Sequence, residues 1–308
     1  MAMDFEHVPV LLGECLEGLN IRKDGTYLDG TVGGAGHSLE IAKRIEGGRL
    51  FCLDKDPEAL AAAQARLSAY PCAKVIRGDF RNASALIGGE CSGLDGALLD
   101  LGVSSHQLDD AERGFSYHED GSLDMRMSRE GLSAADIVNS WEPGEIAKIL
   151  REYGEEPYAA QIARKIGAAR EAEPIMTTTQ LSEIVSSAVP AAVRRAKHPA
   201  KKTFMALRIC VNDEFGALRE GLEDIFGLLK PGGRFCVISF HSLEDRIVKQ
   251  YFNSLFVSCT CPPEYPVCVC GGKAKAKPIT KKPIVAGEDE LSDNRRSRSA
   301  KLRIIEKL

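Results

Sequence analysis

No stretch of this 308-residue chain stays apolar for the roughly 18 residues that a membrane-spanning helix requires. The opening MAMDFEHVPVLL lacks the basic-then-apolar order of a secretory signal. Both absences point to a cytoplasmic protein with no membrane segment. Disulfides are then not expected, and six of the ten cysteines, among them Cys52 in RLFCLD and Cys236 in RFCVIS, sit in apolar runs as core filling. Acidic residues are missing from RRAKHPAKK, Arg194 to Lys202, which holds five Lys/Arg. From Lys273 to Leu308 there are 11 Lys+Arg against 5 Asp+Glu, a net of +6, so the overall −4 leaves −10 for the other residues. Each basic cluster reads either as a solvated face or as a surface for phosphates.

Apolar residues at 44% suffice for a sizeable core, and the length suits one large domain with an insertion or two domains. TYLD, RLFCLD, AKVIR and DGALLD are β-type runs separated by helical patterns such as DPEALAAAQARL, the rhythm of a parallel sheet covered by helices. Between Asp109 and Arg208 the β-type runs stop and amphipathic stretches such as GEIAKILREYG take over, with Thr177 and Gln180 spaced as a capping box. Phe204, Leu207, Val211, Phe215, Leu218, Leu222, Ile225 and Leu229 recur at steps of three and four. They predict one long helix ending at KPGG, before the strand RFCVIS. The expectation is an α/β domain of residues 1–108 and 209–308 interrupted by a helical, substrate-recognising domain of residues 109–208.

Glycines fall at 30, 33, 34 and 36, directly behind Asp29. A dinucleotide fingerprint counted from Gly34 needs a glycine at 39, where Leu39 stands, which disfavours a nicotinamide oxidoreductase. As Asp29 ends the first strand, Asp54 ends the second in LFCLDKDP, Asp79 with Phe80 the third in VIRGDF, and Asp100 the fourth in ALLDLGVSS. Ligands of open α/β sheets bind beyond the carboxyl ends of the strands. There Asp54 suits the hydroxyls of a ribose, and Phe80 with Asp79 suits an adenine. Together these residues describe a site for adenosine carrying a small polar head.

HVPVLL, DGTVGGAGHS, LDLGVSSHQLDDAERGFSYHEDGSLDMRM, KTFMALRICVNDE, LKPGGRFCVISFHSLEDRIVK and NRRSRSAKLRI span nearly the whole chain. They resemble the ribosomal RNA small subunit methyltransferase H family. The resemblance implies a Rossmann-like S-adenosylmethionine-dependent methyltransferase fold with an inserted helical domain. It also implies formation of N4-methylcytidine in the decoding region of small-subunit (16S) rRNA, on naked rRNA or on the assembled subunit. The family's cofactor loop falls on Ala35, Gly36 and His37, its ribose acid on Asp54, its adenine-side aromatic on Phe80, and further cofactor contacts on Asp100 and Gln107. Glycine at 36 lets main chain approach the cofactor, and a helix starting near His37 offers N–H groups to a carboxylate. The resemblance alone supplies Gln107.

A cytosine amine is a poor nucleophile, so methyl transfer needs it held in line with the methyl carbon beside an acceptor for its proton. Asp100 is the first choice. Its ordinary pKa of about 3.9 precludes prior deprotonation of the amine, so proton loss comes late. His241 in SFHSLED is the rival acceptor, or else a capping or core histidine. Other amine methyltransferases carry an Asp/Asn-Pro-Pro-aromatic tetrapeptide where this chain has Asp100-Leu101-Gly102-Val103, which leaves Phe115, Tyr117 or Phe240 to stack on the base. A base in helical RNA has to be unpaired or extruded to be reached. Arg194, Arg195, Lys197, Lys201, Lys202, Arg295, Arg296 and Arg298 are the candidates for RNA phosphates. Cys259, Cys261, Cys268 and Cys270 form two C-x-C pairs, read either as a structural zinc site, for which C-x₂₋₄-C spacing is commoner, or as a metal-free loop. A non-catalytic RNA-binding assembly factor with the same fold is the alternative function, and the sequence leaves monomer and homodimer open.

Overall fold

The β-type runs pair into one seven-stranded sheet: β1 (Thr26–Asp29), β2 (Arg49–Asp54), β3 (Ala73–Arg77), β4 (Leu94–Asp100), β5 (Leu229–Ser239), β6 (Ala276–Pro278) and β7 (Lys301–Lys307). This computed structural model describes residues 9–196, 198–256, 265 and 272–308, without the side chains of Ser105, Ala196 and Arg295. The strand order is β3-β2-β1-β4-β5-β7-β6. β1 to β5 are mutually parallel and β7 runs antiparallel to both its neighbours, a Rossmann-like arrangement. Pro278, which has no N–H to donate, sits in the edge strand β6.

Parallel strands covered on both faces need apolar side chains in both directions, and Leu50, Phe51, Cys52 and Leu53 are all buried. Because side chains alternate, Phe51 and Leu53 join Leu99 and Phe235 under the helix Glu214–Leu228. Leu50 and Cys52 join Leu98 and Cys236 on the opposite face. Burial pushes the Cys52 and Cys236 thiols up, so both behave as core filling.

The chain divides into two compact units, residues 1–102 with 215–308, and residues 103–214. The second unit has its own core, in which Ile146, Leu150, Ile162, Leu181 and Leu207 come from four helices, Pro143–Gly154, Ala159–Arg170, Thr178–Ala188 and Ala200–Asn212. Thr177 and Gln180 form the capping box that their spacing predicts, Oγ1 accepting from Gln180 N at 3.3 Å and Oε1 from Thr177 N at 3.0 Å.

The long helix expected from Phe204 to Leu229 is two helices. Ala200–Asn212 ends and Glu214–Leu228 begins around Asp213, which takes a left-handed conformation with φ 46°. Asp tolerates that region better than most residues. Asn212 fixes the end by donating to the Met125 and Arg208 carbonyls at 2.8 and 2.9 Å and accepting from Met127 N at 2.8 Å. Periodicity continues through the break because both helices bury one face.

Candidate active site

β1 and β4 are neighbours where the strand order reverses, so their carboxyl ends open the crevice in which doubly wound sheets bind ligands. β1 ends on Asp29, β2 on Asp54 and β4 on Asp100. The expectation for β3 is off by two residues: it ends at Arg77, and Asp79 caps the short turn Phe80–Asn82 by accepting from Arg81 N at 3.1 Å.

The acids divide the work. Asp29 is buried and accepts from Ser38 Oγ at 2.6 Å and Thr31 N at 3.1 Å, tying the glycine loop and its helix to β1. Thr31 Oγ1 in turn accepts from Asp100 N at 2.7 Å, joining the loop to β4. Asp54 accepts from Gly33 N and Asp56 N, both at 2.9 Å, one on each oxygen. Burial raises its pKa, as it does that of Asp29, pushed up to about 6.

Asp100 lacks such support. Its Oδ1 is buried with no hydrogen-bond partner, and its Oδ2 lies 3.7 Å from His37 Nδ1. Burial, then the charges of Asp29 and Glu244, push it up to about 8. This corrects the ordinary carboxylate pKa assumed from sequence: the side chain is desolvated, and the charges that act on it are those of other acids.

The glycine loop shows why HVPVLL matters. A Cβ on Gly36 would sit 2.4 Å from Pro9 Cγ, and His37 Nε2 is 3.0 Å from the Val10 carbonyl. Gly36 therefore admits the N-terminal segment, a through-space demand that the sequence does not display. Ala35, buried at φ 60°, begins the helix Gly36–Ala42. Phe80 packs on the helix Glu214–Leu228 at Gly221, where a Cβ would lie 2.4 Å from its ring.

His241 precedes the helix Ser242–Phe256 and is held by it. Its Nδ1 accepts from Glu244 N at 3.4 Å, its Nε2 is 2.9 Å from Glu244 Oε1, and Glu244 Oε2 accepts from the N–H groups of Phe240 and His241 at 2.8 and 3.2 Å. This is a reciprocal cap with an imidazole in place of a hydroxyl. Gly102, with φ +99°, turns the chain after β4, and Phe240 is the nearest side chain to the Cβ it lacks, at 3.7 Å. Phe115 is buried in the second unit's core beneath the Arg113 guanidinium, 5.7 Å from the ring centroid. Tyr117 stacks on His198 at 4.4 Å.

Gln107, also in the second unit, belongs to a capping box: its Oε1 accepts from Ser104 N at 2.9 Å and Ser104 Oγ from Gln107 N at 3.2 Å. The S-x-x-Q spacing of Ser104 and Gln107 is the signal for it. Arg113 carries no such signal in the sequence. Fully buried, it donates to the Arg126 and Met127 carbonyls at 3.1 Å and fastens the segment leading to Met127. Arg194, Arg195, Lys201 and Lys202 are exposed on the second unit, and Arg298 is exposed and Arg296 half-buried on the first. Lys197, the Arg295 side chain and Cys259, Cys261, Cys268 and Cys270 lie outside the described residues. No helix of the described residues is long and apolar enough to cross a membrane.

Residues 4–308 match the model of the MraW methylase family. A protein of Heliobacterium mobile named ribosomal RNA small subunit methyltransferase H is 52% identical over 312 residues, covering 99% of this chain and 100% of that protein. A namesake in Symbiobacterium thermophilum is 53% identical, covering 99% of this chain and 98% of its own. Among solved structures, an rRNA methylase from Streptococcus thermophilus is similar with a TM-score of 0.44 at 10% identity, over 98% of this chain and 99% of that one.

Proposed function

The chain belongs to the MraW methylase family, and from that membership we propose that it methylates N4 of a cytidine in the decoding region of small-subunit rRNA, using S-adenosylmethionine. The observation that carries the reading is Asp100: a buried carboxylate oxygen without a partner, at the strand-order reversal, amid acids that a cationic ligand would relieve.

The donor set fits the cofactor. Asp54 would hold the ribose, Phe80 the adenine face, and the backbone of Ala35, Gly36 and His37 the amino-acid end, with Gln107 a further contact. When bound, S-adenosylmethionine supplies a methyl group on a sulfonium that becomes a neutral thioether once the methyl has left. Asp100 is ionised more readily beside a positive charge and accepts a hydrogen bond from the N4 amine. With the sulfonium charge gone, the Asp100 carboxylate would regain its basicity and would take the proton that the methylated amine gives up. His241 positions Glu244 through their mutual cap, Phe240 offers a stacking face beside Gly102, and Arg194, Arg195, Lys197, Lys201, Lys202, Arg295, Arg296 and Arg298 meet RNA phosphates.

The test is methyl transfer from labelled S-adenosylmethionine to small ribosomal subunits lacking the modification, and to their naked rRNA, followed by nucleoside analysis. N4-methylcytidine is the expected product. Cofactor and RNA binding without product on either substrate would favour a non-catalytic assembly factor instead.

A further inference from the structure

An aromatic cluster on the unit formed by residues 103–214 has no part in the methyl-transfer step proposed above. The ring of Tyr117 stacks on that of His198 with centroids 4.4 Å apart and planes at 22°. His118 lies 4.4 Å from Tyr117 and 5.8 Å from His198. Behind them Phe204 meets Tyr117 edge-on at 5.6 Å and is itself buried in the unit's core. The rings thus run from core to solvent: Phe204 buried, Tyr117 half-buried, His198 and His118 exposed. A stack rooted in a core holds its outer face in place without further ordering.

The surroundings are cationic. Arg194, Arg195, Lys201 and Lys202 lie within four residues of His198 and are exposed, and no acidic residue occurs between Glu183 and Asp213. Two acids follow His118 in the chain, Glu119 and Asp120, and the Asp120 carboxylate accepts from Thr179 N at 3.2 Å. Desolvation, helped by neighbouring His118, holds the His198 pKa below its ordinary value, which favours a neutral ring face at physiological pH. Rings beside cations are the combination with which proteins hold unpaired nucleotides, bases on the rings and phosphates on the cations.

We infer that His198, backed by Tyr117, forms a stacking platform for an unpaired nucleotide of the RNA substrate, the base lying on the exposed His198 imidazole with His118, inclined to it at 60°, along the base's edge. The inference rests on the methyltransferase reading. The nucleotide is one other than the methylated cytidine, because the platform contains no carboxylate to accept the amine proton.

The test compares wild type, His198→Ala, His198→Phe and Lys201→Ala in binding a labelled, unpaired RNA oligonucleotide at several salt concentrations, with methyl transfer to small-subunit rRNA measured in parallel. His198 is exposed, so its variants should fold, which unchanged melting temperatures verify. His198→Ala is expected to weaken binding on the order of ten-fold with the salt slope unchanged, and His198→Phe to restore it. Lys201→Ala is expected to lower the slope by about 0.7. Wild-type affinity in His198→Ala, or an equal loss on a duplex of the same sequence, overturns the platform while wild-type methylation keeps the enzyme reading. A wild type that neither binds nor methylates RNA overturns both.

Discussion

Asp100 keeps at neutral pH a proton that most aspartates have lost, Asp29 keeps one up to about pH 6, and stability should report both. Their folded pKa values, about 8 and about 6, lie above the roughly 3.9 of an unfolded chain. The folded protein therefore binds more protons than the unfolded one between about pH 4 and pH 8, and stability falls as pH rises through that window. Asp100→Asn removes its share, so thermal unfolding should show the variant melting above wild type at pH 8 and close to it near pH 4. A wild-type advantage at pH 8 would mean that the carboxylate is stabilised by its surroundings. At this scale the sequence is legible where an acid closes a strand, as at Asp29, Asp54 and Asp100. It is silent where the partner lies far along the chain: nothing local marks Pro9 as the neighbour that Gly36 must admit.

Elements are legible where periodicity and caps agree and less so where a helix turns a corner on the same apolar face. The break at Asp213 lies hidden inside an unbroken three-four repeat, whereas Thr177 with Gln180 announces a helix start. The glycine loop rests on the N-terminal segment, so Gly36→Ala should weaken S-adenosylmethionine binding and destabilise the protein by about 1–3 kcal/mol. Pro9→Ala should recover part of that loss in a double-mutant cycle. Strictly additive effects measured by calorimetry and denaturation would count against the contact. The helix Ser242–Phe256 gives a second case, since asparagine is a good cap. His241→Asn is expected to keep the melting temperature and most of kcat. A fall of two orders of magnitude in kcat, with folding intact, would make His241 the proton acceptor.

Across the whole chain, charge is partitioned more sharply than the net −4 suggests. The α/β class is legible from alternating β-type and helical runs, because β1 to β4 are short and the central β2 and β4 bury apolar side chains on both faces. Which basic residues face RNA is not, since a solvated lysine and a phosphate-binding lysine read alike. Arg194→Ala and Arg298→Ala lie in different units, and each is expected to lower the salt slope of RNA binding by about 0.7 if it meets one phosphate. An unchanged slope in filter-binding titrations would remove that arginine from the interface.

The most direct measurement is the single-turnover rate of N4-methylcytidine formation by wild type and Asp100→Asn, with S-adenosylmethionine affinity determined on the same preparations. A carboxylate that takes the amine proton predicts a loss of roughly 10²–10⁴-fold in rate while the cofactor remains bound. An undiminished rate at full cofactor occupancy would contradict the role assigned to Asp100.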